Sequence, residues 1–131
     1  MQESTEGATA GKEKVTPATL VEILRRYRIQ GNCEASVQVA ILRAFEAEHV
    51  TYVRECDLGV GVGRIDFFCS GVGVEVKTRG SRNDVLRQLK RYADCDLIDG
   101  LVLVTTRNSL RAMPESLNGK PVLTVYVGVW L

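Results

Sequence analysis

The chain has 131 residues, a length that suits one compact domain and not two. Its 17 Lys and Arg residues against 16 Asp and Glu residues give a net charge of +1, which excludes a polybasic protein that binds nucleic acid through bulk charge alone. The sequence has no run of 18 apolar residues, and its first 14 residues lack the apolar segment of a signal peptide. We therefore expect a cytoplasmic protein without membrane association.

The N-terminal third of the chain predicts a tail followed by two helices. Residues 1–15 show no apolar periodicity and indicate a disordered tail, which leaves residues 16–131 as the domain. Thr16 followed by Pro17 is typical of a helix start, and apolar residues at helical spacing follow twice. The two predicted helices cover residues 17–29 and the segment from the N-cap Asn32 to about Glu48.

The rest of the chain predicts strands with one further helix. β-Branched and aromatic residues separated by glycine-rich connections are typical of strands, and the continuous apolar run 101–105 indicates a strand covered on both faces. The order of elements predicts an α/β fold, a single domain with a mixed central sheet flanked by helices. The predicted strands are 50–56, 64–69, 72–77, 101–105 and 122–130, and the predicted helix is 82–93.

Three charged residues stand out on the predicted hairpin 64–77. If this hairpin turns at Ser70-Gly71, Asp66 lies directly opposite Glu75, with the Cβ atoms roughly 5 Å apart, and Glu75 shares a face with Lys77. Facing carboxylates repel each other unless a cation lies between them. A divalent ion held by two carboxylates, with a lysine beside it, suits metal-assisted cleavage of a phosphodiester. We expect Mg²⁺ as the cofactor, with Mn²⁺ able to substitute.

This pattern resembles the PD-(D/E)xK nuclease superfamily. The resemblance consists of Asp66, eight intervening residues and Glu75-Val76-Lys77, after a helix that carries Glu34 and before a helix and a strand. It covers about residues 32–106 and implies the restriction-endonuclease-like αβββαβ core. It also implies that Asp66, Glu75 and the main-chain carbonyl of Val76 bind metal and that Lys77 positions the attacking water.

The resemblance leaves the helix carboxylate open. It implies that Glu34 is a further metal ligand or lies just behind the ligands, whereas the helix dipole alone would also favour an acid at that position. Glu48 lies on the same helical stripe and is the rival candidate.

Basic residues after the hairpin predict a DNA-binding surface. Six Lys and Arg residues occur between positions 77 and 91, against the single acid Asp84, and such a patch neutralises backbone phosphates. Gln88 and Tyr92 lie one helical turn apart, which is similar to the Q-h-x-x-Y element of RecB-like exonucleases. The predicted DNA contacts are Arg64, Arg79, Arg82, Arg87, Gln88, Lys90, Arg91 and Tyr92.

The cysteines give no metal pattern. They form no C-x-x-C pair, and His49 is the only histidine, whereas structural zinc and iron–sulfur sites show clustered ligands. We therefore expect reduced, mostly buried thiols and no such site. The cysteines are Cys33, Cys56, Cys69 and Cys95.

Taken together, the sequence predicts a metal-dependent nuclease that hydrolyses DNA. The resemblance favours a structure-selective endonuclease similar to the small Holliday junction resolvases, which act as homodimers, or to the virus-type replication-repair nucleases. A RecB-like exonuclease or a nicking enzyme is the alternative on the same scaffold. A non-catalytic nucleic-acid-binding module is the alternative of another class.

Overall fold

A computed structural model of the chain describes residues 14–128. The predicted disordered tail therefore lies outside the described residues, apart from its last two positions, as does the end of the last predicted strand. The helices are α1 (Pro17–Arg26), α2 (Glu34–Ala47) and α3 (Arg82–Ala93), and the strands are β1 (Val53–Asp57), β2 (Arg64–Cys69), β3 (Val72–Lys77), β4 (Gly100–Thr105), β5 (Ser116–Leu117) and β6 (Lys120–Tyr126), with a 3₁₀ turn at Asn108–Leu110.

Side-chain hydroxyl groups accept main-chain hydrogen bonds at the start of the first two helices. Thr16 caps α1 as predicted, and its hydroxyl accepts a hydrogen bond from the main-chain N–H three residues on, at 3.2 Å. The predicted cap of α2 is wrong by one residue. Cys33 occupies that position because the Ser36 hydroxyl accepts hydrogen bonds from the main-chain N–H groups of Asn32 (2.9 Å) and Cys33 (3.1 Å). None of the helices in residues 14–128 is long and apolar enough to cross a membrane.

The strands form one mixed six-stranded sheet in the order β1-β2-β3-β4-β6-β5. Neighbouring strands from β1 to β3 are antiparallel, β3, β4 and β6 are mutually parallel, and the short β5 pairs antiparallel with β6. The predicted α/β class with a mixed sheet is confirmed.

Helices cover both faces of this sheet. The packing of α1 and α2 on one face buries Leu24, Ile41 and Phe45 against the valines of β3 and β4. The packing of α3 on the other face buries Leu89 and Tyr92. The central strand β4 is buried over its whole length, as its apolar run predicted. These two cores hold β3 and β4 as a rigid base for the residues at their ends.

Candidate active site

The two carboxylates predicted to face each other do meet, at the point where β2 and β3 separate. The β2–β3 ladder runs from Cys69–Val72 to Phe67–Val74 and stops there. Beyond it, the Asp66 N–H donates a hydrogen bond to Glu75 Oε1 (3.2 Å). Across the gap, the Val76 N–H donates to Asp66 Oδ2 (2.8 Å). Each carboxylate thus satisfies a main-chain group that the opposite strand would otherwise pair.

The turn that sets this register is Ser70-Gly71. Both residues have positive φ, 50° and 96°, as the central residues of a type I′ hairpin turn do. The paired positions in the ladder agree with the predicted register. Continued by one residue, this register places Asp66 opposite Glu75.

A third carboxylate, which sequence reasoning missed, lies in the same row. The register of β1 and β2 places Glu55 opposite Asp66, but these two residues do not form a ladder pair. Glu55 has a left-handed φ of 51°, which is uncommon for a residue other than glycine and is often found at functional sites. No local sequence signal distinguishes it from an ordinary strand residue.

The chain also changes face at this row. Ile65 packs in the core under α3, whereas Phe67, two residues on, packs in the core under α1 and α2. Regular alternation would put both on one face. Gly73 leaves room for the Ile65 side chain, which a Cβ at position 73 would overlap.

Burial and like charge shape the electrostatics of the pair. Glu75 is only 3% exposed, and burial, followed by the negative charge of Asp66, raises its pKa to about 8. Burial also raises the pKa of Asp66, and the charges of Glu34 and Glu55 add to that increase. Lys77 opposes both shifts, and its Nζ lies 3.5 Å from Glu75 Oε2. When both carboxyl groups are ionised, one lysine leaves the pair with an excess of negative charge.

The atoms around this pair fit a divalent cation. The N–H of Val76 points toward β2, so its carbonyl points the same way, into the gap where no strand pairs with it. This carbonyl, which has no ladder partner on β2, and the two carboxylates form a set of oxygen donors of the kind that Mg²⁺ prefers. Within residues 14–128, no group of three or more Asp, Glu, His or Cys side chains is placed to hold an ion. The ion would therefore be bound by the two carboxylates, this carbonyl and water.

The helix carboxylate at the site is Glu34 and not Glu48. The Thr78 N–H, just after β3, donates to Glu34 Oε2 at 3.2 Å. The charge of Glu34 also acts on Asp66. At the far end of α2, Glu48 pairs with Arg26 (2.7 Å) and accepts the hydroxyl of Tyr27 (2.7 Å). We call Asp66, Glu75, Lys77 and Glu34 the carboxylate site.

The predicted pair on α3 has an internal role. Gln88 Nε2 donates to the Tyr92 hydroxyl (2.9 Å), and that hydroxyl donates to the carbonyl of Arg64 (2.9 Å), two residues before Asp66. The side chain of Tyr92 is 0% exposed. The prediction that Tyr92 contacts DNA is therefore wrong: the tyrosine ties α3 to the strand that carries Asp66.

The predicted basic contacts are exposed but differ in their partners. The guanidinium of Arg82 donates two hydrogen bonds to the carbonyl of Ala112, at 2.9 and 3.2 Å, and Arg87 pairs with Asp84. No carboxylate in residues 14–128 lies within ion-pairing distance of the others. The exposed basic side chains from this prediction are Arg64, Arg79, Arg82, Arg87, Lys90 and Arg91.

The four cysteines are all free. Cys69 is buried, and burial raises its pKa to about 12. Cys56 and Cys95 are half-buried, whereas Cys33 is exposed. The expectation of mostly buried thiols is therefore wrong for Cys33, which caps α2 at the protein surface.

Comparison of the chain with protein-family models, with curated proteins and with solved structures gives no match in any of the three. The functional interpretation therefore depends on the geometry of the carboxylate site.

Proposed function

We propose that the protein is a metal-dependent nuclease that hydrolyses phosphodiester bonds in DNA, on a restriction-endonuclease-like core. The observation that carries this proposal is the pair of hydrogen bonds that holds Asp66 and Glu75 across the separated strands, with Lys77 beside them. Two ionised carboxylates that face each other in a buried place repel each other, and a bound cation removes that repulsion. An ordinary surface ion pair would require neither burial nor an interrupted ladder.

Each residue of the carboxylate site has a distinct part in this proposal. Asp66, Glu75 and the Val76 carbonyl are the oxygen donors for Mg²⁺, which when bound would supply Lewis-acid activation of the phosphodiester and of water. The half-buried Lys77 places its ammonium group next to Glu75, where it can orient a water molecule and offset the charge that develops on the phosphate. Glu34 carries a further negative charge toward Asp66.

The order of the elements around the site supports the same core. The chain runs α2-β1-β2-β3-α3-β4, with antiparallel pairing through β3 and parallel pairing of β3 with β4. This is the αβββαβ order implied by the resemblance to PD-(D/E)xK nucleases, with Asp66 on the second strand and Glu75 and Lys77 on the third.

Within this class we propose a structure-selective endonuclease that acts on branched DNA as a homodimer. A RecB-like exonuclease is the second candidate, because the amide of Gln88 contacts the hydroxyl of Tyr92, as the spacing of the Q-h-x-x-Y element would require. The two candidates share the carboxylate site and differ in their products.

The experiment is a cleavage assay with Mg²⁺ on a four-way junction, a linear duplex, a single strand and a supercoiled plasmid. We expect symmetric cuts in the junction, cleavage that stops in EDTA, and loss of cleavage in Asp66→Asn and in Lys77→Ala. The matched controls are Asp96→Asn and Lys14→Ala, which change exposed residues outside the carboxylate site, and circular dichroism checks the fold of each variant.

The outcomes separate the alternatives. Stepwise shortening of the linear duplex from its ends would favour the exonuclease. Cleavage retained by both Asp66→Asn and Lys77→Ala would overturn the site assignment. Salt-sensitive DNA binding with no product in Mg²⁺ or Mn²⁺ would replace the nuclease with a binding module.

A further inference from the structure

The parallel half of the sheet carries a row of residues that leads away from the carboxylate site. Lys77 of β3 pairs with Thr105 of β4, and Thr105 pairs with Tyr126 of β6. Paired residues of parallel strands point to the same face, and neighbouring strands lie about 4.8 Å apart. The backbone at Tyr126 therefore lies roughly 10 Å from that at Lys77, along the same end of the sheet.

At the far end of this row, an arginine stacks on the tyrosine. The guanidinium carbon of Arg111 lies 4.5 Å from the centroid of the Tyr126 ring, and the tyrosine is 46% exposed. Arg25 of α1 and Thr124 of β6 join these two residues around an open cavity of about 290 Å³. Two arginines from opposite faces of the sheet thus meet at one edge.

The arginines in this region carry charge without a carboxylate beside them. In the described part of the chain, no Asp or Glu oxygen lies within 4.0 Å of Arg25, Arg107 or Arg111. By contrast, Arg26 on the next position of α1 pairs with Glu48. Arg107 follows the end of β4 by two residues, and β4 lies between β3 and β6 in the sheet. We call Arg25, Arg107, Arg111 and Tyr126 the edge patch.

The loop that presents Arg111 is fixed at two points. The two hydrogen bonds from Arg82 to the Ala112 carbonyl tie the loop to the first turn of α3. The neighbouring Leu110 is fully buried under α3. The guanidinium of Arg111 lies over the Tyr126 ring, and its Nη1 donates a hydrogen bond to Asn108 Oδ1 at 3.5 Å, so the group is held in place while its other N–H groups can donate to a phosphate. A positioned guanidinium loses less conformational freedom on binding than a mobile one does.

We propose that the edge patch binds the phosphate backbone of the nucleic acid whose cleavage is assigned above to the carboxylate site, an inference that rests on the proposed function. The substrate strand would cross the ends of β3, β4 and β6 instead of following α3. With phosphates spaced about 3.4 Å apart along a strand axis, a separation of roughly 10 Å reaches a phosphate about three nucleotides from the cut.

The chemistry of the edge patch favours a nucleic acid over an acidic protein. Its groups are three guanidiniums and a tyrosine ring with its hydroxyl, and the hydroxyl of Thr124 lines the same cavity; these groups suit phosphate oxygens. An acidic polypeptide is the competing occupant and is tested directly below.

The binding experiment uses the full chain with Asp66→Asn to prevent cleavage, in EDTA, with a fluorescent duplex of about two helical turns. The test variant adds Arg107→Ala and Arg111→Ala. The control adds Arg43→Ala, an exposed arginine of α2 outside the edge patch. We expect the double change to weaken binding on the order of tenfold and to reduce the slope of log K against log salt by roughly 2, since two phosphate contacts are lost. The control should match the parent.

Two further arms keep this inference separate from the nuclease proposal. With native Asp66 and Mg²⁺, the double change should raise KM with kcat nearly unchanged, because the edge patch lies away from the reacting phosphate. If the wild type cuts DNA but the double variant binds DNA with the affinity and salt slope of its parent, the edge patch is overturned and the nuclease proposal stands. DNA binding that depends on the edge patch in a protein that never cuts would support the patch and overturn the nuclease. If poly-glutamate displaces the fluorescent duplex from the protein and unlabelled DNA does not, the inference is also overturned.

Discussion

Glu75→Gln is expected to stabilise the metal-free protein at neutral and alkaline pH. The amide keeps an oxygen for the Asp66 N–H, which donates to Glu75 Oε1 at 3.2 Å, but it carries no charge to be desolvated by burial or repelled by Asp66. The wild-type carboxyl, whose pKa is raised to about 8 from an ordinary 4.5, holds its proton in the folded state after the unfolded chain has released its own. Folding stability therefore falls as the pH rises through this interval.

The size of this loss of stability follows from the difference between the ordinary and the raised pKa of Glu75. Each pKa unit corresponds to 1.36 kcal/mol, so the shift sets an upper bound of about 5 kcal/mol on the stability that the wild type loses between pH 4.5 and pH 8. Below pH 4.5 the carboxyl is protonated in both states and Glu75 contributes no such loss. Asp66 and Glu75 titrate as a coupled pair. We therefore expect about half of this upper bound to appear as the difference in free energy of unfolding between wild type and Glu75→Gln.

The assay is urea unfolding of wild type and Glu75→Gln in EDTA, at about pH 5 and about pH 8. The advantage of the variant should be small at the lower pH and about 2 kcal/mol or more at the higher pH. Glu115→Gln, at an exposed carboxylate outside the site, should follow the wild type. Added Mg²⁺ should stabilise the wild type at the higher pH and leave Glu75→Gln unchanged. A difference between wild type and variant that does not depend on pH would refute the reasoning.

Three further changes test the structure around the site. Glu34→Gln should lower kcat in the Mg²⁺ cleavage assay at least about tenfold, whereas Glu48→Gln should keep the wild-type kcat. A Glu34→Gln variant as active as the Glu48→Gln variant would show that the carboxylate of Glu34 is not used. Gly73→Ala should lower the free energy of unfolding by about 1–3 kcal/mol, because the new Cβ would overlap the Ile65 side chain; an unchanged urea midpoint would contradict this packing. Tyr92→Phe should cost about 0.5–1.5 kcal/mol, because the main-chain carbonyl of Arg64 loses its 2.9 Å hydrogen bond; an unchanged urea midpoint would exclude that role.

The hairpin is the part of the site that the sequence predicts best, because a two-residue turn leaves little freedom. Once Ser70-Gly71 is recognised as the turn, the pairing of every residue in the two strands is fixed, and Asp66 must face Glu75. The contact between Gln88 and Tyr92 is predictable for a similar reason, since residues four apart on a helix are neighbours.

Other features of the site depend on contacts between distant segments. The left-handed φ of Glu55 and the change of face between Ile65 and Phe67 arise where three strands meet, and neither has a local signature. The position of Glu34 near Asp66 depends on how α2 packs across the sheet. Arg111 meets Tyr126 only because β6 lies beside β4, an order of strands that the sequence did not specify.

The continuous ladder on one side of β3 is what allows the opening on its other side. From Val72 to Lys77, β3 pairs with β4 at every position, so its conformation is held without help from β2. The β2 side can then end its pairing at Phe67–Val74 and leave the Val76 carbonyl and two carboxylates facing a common space. An edge strand, which has a single ladder, would fray if that ladder were broken. Because β3 is held by its parallel ladder with β4, it can instead carry the Val76 carbonyl and Glu75 at a fixed position, as the proposed metal site would require.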